Sequence, residues 1–342
     1  MPPGPRVTER GCHAVSLAEL QRAAVEIDAL IESLHDSGTP AALIAERVTE
    51  LNRHLFARAW SLIAPAELVA NSCLVVMGSE GRGEQILKTD QDNALLLRDG
   101  FAIGDTLAPL TERFTNALID FGYPRCPGNI MLSNPLWCQP VAAFKQSLRG
   151  WMFGPEADGV MKLAIFLDAA AVAGDAALLH EVRRFVDDFL VDNDAYFARF
   201  ASAADQFGEP DGWWARLTHL RDHDEPALDL KKLGSFPIVH GVRSLALQHH
   251  VAELGTAARL RSLAECAHLS APMAHELTEA LHFLMQLKLD NHLRQRRAGV
   301  AMSNVVTLAV LGAPERERLN DTLASVRRFR QHLRQHYRLD SL

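Results

Sequence analysis

Lysine, tyrosine and cysteine are scarce in this sequence. Of 342 residues, six are Lys, three are Tyr and five are Cys. The cysteines (Cys12, Cys73, Cys126, Cys138 and Cys266) are scattered, odd in number and form no C-x-x-C pair. That excludes a disulfide framework and a zinc knuckle, and it fits a reducing compartment. No run approaches the ~20 apolar residues of a membrane helix. The opening residues carry no apolar h-region, so no secretory signal is expected and the chain reads as cytoplasmic, with no membrane partner. Positive charge is not in excess. The net charge of −7 makes nucleic-acid binding through bulk charge an unexpected function. Three signatures are also missing. There is no G-x-x-x-x-G-K-[ST] loop and no H-E-x-x-H, and Gly78-Ser-Glu-Gly-Arg-Gly83 does not follow G-x-G-x-x-G.

What is present is ordinary globular material, 48% hydrophobic and 23% charged, in a length that suits roughly two domains. The basic residues are mostly Arg, 29 against six Lys, which reads as usage bias rather than as a site. Residues 1–15 read as a flexible tail and 16–66 as a helical segment. Ser16 is the expected N-cap, with Glu19 completing a capping box. Leu20, Ala24, Ile27, Leu30 and Ile31 recur at three and four, and Ile44, Val48, Leu51, Leu55 and Trp60 mark a second helix beyond the break at Asp36-Ser-Gly-Thr-Pro40. Residues 67–175 read as a small α/β unit. Its expected strands are Cys73–Met77 and Ala94–Leu97, followed by a helix over Asp105–Phe121. Leu163–Leu167 is a strand or the buried part of a helix, and periodicity leaves both open. Residues 176–342 read as wholly helical, with Leu stripes at Leu277, Leu281, Leu284 and Leu287 and at Leu319, Leu323 and Leu333 that suit a core.

The chemistry concentrates in residues 74–97. An apolar run ends in Gly78-Ser79, where a glycine lets a ligand approach the backbone and a helix start offers free N–H groups to phosphate. Ser79 adds a hydroxyl and Arg82 a positive charge. After a gap of ten residues, Glu80 to Thr89, stand Asp90 and Asp92. At i and i+2 of an extended segment both carboxylates project to one side. Their repulsion is relieved by a divalent cation, and Mg2+ is commonly held by one or two carboxylates plus substrate phosphates. Two such ions can clamp the attacking and leaving oxygens of an in-line displacement. Elsewhere, His332 and His336 stand at i, i+4 without a visible third ligand. Arg327, Arg328, Arg330, Arg334 and Arg338 line the last helix, where a solvated face is the simpler reading than a contact with RNA or an acidic partner.

The pattern Gly-Ser-Glu-Gly-Arg-Gly-Glu-Gln followed by Thr-Asp-Gln-Asp-Asn resembles the polymerase-beta-like nucleotidyltransferase superfamily. More narrowly, it is similar to the nucleotidyltransferases related to the N-terminal part of bacterial PII-protein uridylyltransferase. Gly122-Tyr-Pro-Arg-Cys-Pro-Gly-Asn129 through Asn134-Pro-Leu-Trp137 fits a second block of that family, and Phe166-Leu-Asp168 with Gly174-Asp175 a third. Asp229-Leu-Lys-Lys-Leu-Gly-Ser-Phe-Pro-Ile-Val239, with Arg243, resembles the opening of its helical substrate-binding domain. The resemblance implies an α+β fold: a small mixed-sheet nucleotidyltransferase domain flanked by an N-terminal helical segment and an all-helical C-terminal domain. It implies a nucleoside triphosphate held by Gly78, Ser79, Arg82, Glu84 and Thr89. Mg2+, as two ions, would sit on Asp90 and Asp92, and Asp168 would be the third catalytic carboxylate, with Asp158 as the other candidate.

In the uridylyltransferase the acceptor is a tyrosine hydroxyl of a small signalling protein, and the resemblance implies a hydroxyl acceptor on a protein here, with a small signalling protein as the possible partner. A small hydroxylated compound is the lesser variant. The alternative is a nucleotide-binding regulatory module with little or no turnover, acting through its helical half. Ala170, where relatives carry an arginine, motivates that alternative. Long amphipathic helices near both ends suit a homodimer. The base, the acceptor and any regulator are not readable from these residues.

Overall fold

The computed structural model describes residues 14–102, 104–155, 158–190, 193–205 and 227–341. The tail expected over 1–15 lies outside the described residues as far as residue 13, as does Cys12. The chain divides into two compact units, Met1–Val191 and Asp192–Leu342.

The first unit opens with two antiparallel helices, α1 (Leu17–Asp36) and α2 (Ala41–Ile63). Ser16 caps α1 by accepting from Glu19 N at 3.3 Å. Glu19 Oε2 reaches back to Val15 N, one residue before the cap, so the capping box is displaced by one position. The apolar stripes that define both helices are buried against each other and the sheet. Trp60 also meets Phe114 edge-to-face, with centroids 5.4 Å apart.

A short α3 (Ala66–Ala70) leads into β1 (Ser72–Val76), and a single helical turn, α4 (Gly78–Gly81), follows it. β2 (Asn93–Leu97) runs antiparallel to β1, pairing Ser72 with Leu97 and Val76 with Asn93. After α5 (Leu107–Asp120) come β3 (Cys138–Pro140), α6 (Val141–Phe153), α7 (Gly159–Phe166), β4 (Ala170–Gly174) and α8 (Ala176–Phe189). The sheet order is β3-β2-β1-β4, with β2/β3 parallel and the other pairs antiparallel. This is the mixed sheet of an α+β domain. β1 and β2 are buried along their whole length, which explains their unbroken apolar runs. Leu163–Phe166 belongs to α7, so the ambiguous run is the buried end of a helix. β4, Ala-Ala-Val-Ala-Gly, is a strand that the pattern did not announce.

The second unit is predominantly helical: α9 (Asp194–Ser202), α10 (Phe236–Gln248), α11 (Thr256–Glu265), α12 (Ala271–Arg297) and α13 (Ala313–Tyr337). The leucine stripes of α12 and α13 are core. One feature corrects the wholly helical reading. β5 (Ala227–Asp229) and β6 (Val305–Thr307) form a small antiparallel ribbon. A π-helical turn at Lys231–Ser235 joins β5 to α10. No described helix is long and apolar enough to cross a membrane.

Candidate active site

The site is built on the β1–α4–β2 segment. β1 delivers the chain to Gly78, which adopts φ +57°, a left-handed conformation that glycine takes without strain. A Cβ at Gly78 would lie 2.7 Å from Asp92 Oδ2. The glycine therefore leaves that carboxylate face open. Gly81 serves differently. A Cβ there would meet the Asp168 carbonyl oxygen at 1.9 Å, so the turn can pack against the segment entering β4 only without a side chain.

Asp90 and Asp92 stand just before β2 rather than within it. Gln91 makes an isolated bridge to Arg125, and the strand begins at Asn93. The alternation expected of an extended segment nonetheless holds in burial. Gln91 and Asn93 are buried, at 4% and 1% exposure, while Asp90 and Asp92 are half-buried. The buried amides fix the segment. Gln91 Nε2 donates to the Thr115 and Tyr123 carbonyls. Asn93 Nδ2 donates to Gln91 Oε1, and Asn93 Oδ1 accepts from Leu132 N. Lys88, on the approach, is tied to α1 through Asp28 at 2.7 Å. Thr89 is half-buried beside Asp90.

One ligand atom each from Asp90, Asp92 and Cys126 lies within 4.8 Å of the others. The Cys126 thiol hydrogen-bonds Asp92. Burial, then the neighbouring Asp92 carboxylate, pushes its pKa up to about 12. The donor set suits a divalent cation. Two carboxylates meet on one side, and Gly78 sets no side chain against Asp92 Oδ2. Among the described residues this is the single three-donor group, so His332 and His336 find no third ligand. Their rings are 6.1 Å apart, and His336 Nε2 bonds Gln248 Oε1.

The remaining predicted residues are placed as follows. Ser79 Oγ donates to Gln85 Oε1 at 2.9 Å. Arg82, expected to bring its positive charge to the triphosphate, is enclosed between two carboxylates. It donates from Nε to Glu84 and from Nη1 to Asp168, each at 2.6 Å. Burial pulls the guanidinium pKa down, but the two carboxylates outweigh it and hold it up. Asp168 has no exposed surface. Asp158 stands at the N-cap of α7, exposed and paired with Lys162. The arginines of α13 include ion pairs to Glu276, Asp205 and Asp340, as a solvated, internally compensated face would.

Sequence reasoning missed a buried chain of polar groups beneath the turn. Tyr123 OH donates to Asn52 Oδ1 at 2.7 Å, and Asn52 Nδ2 donates to Glu80 Oε2 at 3.2 Å. Glu80 is 5% exposed, and its Oε1 has no hydrogen bond. Burial raises its pKa to about 7, against the lowering pull of Asn52 and Arg53. A small pocket is lined by Glu80, Gln85, Asp90, Asp92, Asn93 and Tyr123, among others. The only signal in the sequence was a carboxylate in a turn flanked by glycines.

A mixed sheet whose first strand enters a Gly-Ser turn, with paired aspartates at the mouth of the second, is the arrangement of a nucleotidyltransferase domain. The comparisons agree. A family model described as "Putative nucleotidyltransferase DUF294" matches residues 25–158, and one described as "Putative nucleotidyltransferase substrate binding domain" matches residues 194–337. Together they span most of the chain, which belongs to this nucleotidyltransferase family. A search of curated proteins finds no match.

Proposed function

We propose that the protein moves a nucleoside monophosphate from a nucleoside triphosphate to a hydroxyl acceptor, with Mg2+ held by Asp90 and Asp92. The observation that carries this reading is the pair of aspartates brought to one side of an extended segment, beside an open Gly78. The Ser79 hydroxyl would exchange its bond to Gln85 for a phosphate oxygen. Thr89 would edge the same site. The Arg82–Glu84–Asp168 group would act as a brace behind the turn, giving all three residues a positioning role. When bound, Mg2+ would neutralise charge on the triphosphate and polarise the reacting phosphorus. The acceptor we favour is a protein hydroxyl, as in the uridylyltransferase-like relatives that the sequence resembles.

Thermal unfolding with each of ATP, GTP, CTP and UTP, with and without Mg2+, tests the site. A midpoint rise with one triphosphate that requires Mg2+ and vanishes in Asp90→Asn/Asp92→Asn is the expected result. Pyrophosphate release on adding an acceptor then tests transfer.

One observation favours a second reading, a nucleotide-binding module without turnover. The carboxylate expected to serve as the third catalytic group is fully buried and ion-paired. Tight, Mg2+-dependent triphosphate binding with no pyrophosphate release across candidate acceptors would favour it.

A further inference from the structure

We propose that Cys126 is a third donor of the Asp90/Asp92 centre, making it a site for a thiophilic divalent cation of the zinc class that competes with Mg2+. The proposal rests on the preceding reading only in taking the two aspartates as metal donors.

The geometry comes first. Cys126 belongs to the loop between α5 and β3 and directly follows Arg125, which bridges Gln91 between the two aspartates. Its Sγ and one oxygen of each aspartate lie within 4.8 Å of one another. Around one tetrahedral cation with bonds of ~2.0–2.3 Å the donors would stand ~3.3–3.8 Å apart, a closure that side-chain rotation can supply. The thiol already points at Asp92, to which it donates its proton. A cation entering there would take the proton's place. The thiol hydrogen leaves to solvent as H+, the sulfur lone pair forms the bond to the metal, and no oxidation state changes.

A second feature beside the two aspartates points to a ligand. Glu80, 95% buried, lines the same small pocket as Asp90 and Asp92, and its Oε1 has no hydrogen bond. Buried acceptors are rarely left so unless something else occupies the site.

The donor chemistry then sets the cation. Mg2+ takes oxygen donors and keeps several waters, so it gains nothing from sulfur. Thiolate favours the softer zinc class. A mixed Asp–Asp–Cys set therefore gives zinc-class ions an advantage over Mg2+ that an all-oxygen site lacks.

Cd2+ is the probe, because thiolate–cadmium bonding gives an ultraviolet charge-transfer band independent of catalysis. Metal-free full-length protein is titrated with Cd2+ and compared with Cys126→Ser and with Asp90→Asn/Asp92→Asn. Comparing with Cys126→Ser removes the contribution of the other four cysteines. The expected result is about one equivalent of band lost in Cys126→Ser, and its affinity weakened at least tenfold in the double aspartate variant. Identical titrations of wild type and Cys126→Ser overturn the proposal. So does a Cys126 band that survives unweakened without both aspartates. Neither outcome touches Mg2+-triphosphate binding, which the thermal shift reads separately. Should Cys126→Ser fail to fold, cadmium NMR of the unaltered protein decides. A resonance in the region of one sulfur with oxygens, displaced by excess Zn2+, supports the site. Only all-oxygen or multi-sulfur resonances refute it.

Discussion

Asp168 has no exposed surface and accepts from Arg82 Nη1 at 2.6 Å, across 86 residues of sequence. The bond ties the end of the Gly-Ser turn to the segment that enters β4. Arg82 caps α4, and Asp168 lies two residues before Ala170, the first residue of β4. A second carboxylate, Glu84, completes the enclosure. Asp168 therefore bears on the site through the shape of the turn, and its removal should be read first as a stability change.

Removing one member of a buried ion pair strands the other, which costs ~3–5 kcal/mol, whereas replacing both with apolar groups costs far less. Asp168→Leu should lower stability by about that amount, and Arg82→Met by a similar one. The double variant should recover part of the loss, the remainder being the cost of taking Arg82 from Glu84. Urea unfolding of the four proteins gives the coupling energy. Strictly additive losses would show that the pair does not act as a unit.

Glu80 makes stability depend on pH. Its pKa in the folded protein, about 7, lies above the ordinary 4.5, chiefly because of burial. Between those values the native state keeps a proton that the unfolded chain has lost. Stability therefore falls as pH rises through this window and levels off above it. Glu80→Gln cannot ionise and should lack the fall. It should exceed wild type by ~1–3 kcal/mol at about pH 8 and match it near pH 5. Denaturant unfolding at the two pH values decides, and an unchanged pH profile in the variant would exclude Glu80 as its source.

Asp90→Asn separates function from fold. Two half-buried carboxylates on one side of a chain repel in the absence of a cation. Removing one charge should leave the metal-free protein as stable as wild type, or up to ~1 kcal/mol more so. The Mg2+-dependent rise in unfolding temperature with triphosphate should disappear. A variant that loses several kcal/mol without ligand would mean that Asp90 is structural.

The local parts of this architecture were legible, and the non-local parts were not. α1, α2 and α5 follow from spacing at three and four, because each buries one face. β1 and β2 follow from unbroken apolar runs, because both their faces are covered. The Gly78-Ser79 turn and the Asp90/Asp92 alternation lie within 15 residues, so backbone geometry alone relates them. β4 escaped notice because Ala-Ala-Val-Ala-Gly has weak strand preference, and pairing with β1 decides its state. The β5/β6 ribbon joins segments far apart in the chain for the same reason. The enclosure of Arg82 depends on Asp168, and the approach of Cys126 to Asp92 on a loop beyond α5. Neither distance is encoded in spacing.

The two glycines of the turn should fail in different ways when given a methyl group. At Gly81 the new Cβ would lie 1.9 Å from a backbone oxygen of Asp168, and backbone cannot swing aside as a side chain can. Gly81→Ala must push α4 away from the entry to β4. That breaks the Arg82 brace and should cost more than ~3 kcal/mol, enough to reduce the yield of folded protein. At Gly78 the obstacle is Asp92 Oδ2 at 2.7 Å, the end of a side chain that can rotate. The left-handed backbone there adds ~1–2 kcal/mol for alanine. Gly78→Ala should therefore fold, with modestly reduced stability, while the displaced Asp92 no longer shares a cation with Asp90. Its mark is a near-native spectrum in circular dichroism together with a lost Mg2+-triphosphate thermal shift. Retention of that shift would show that the open face at Gly78 is not part of the binding site.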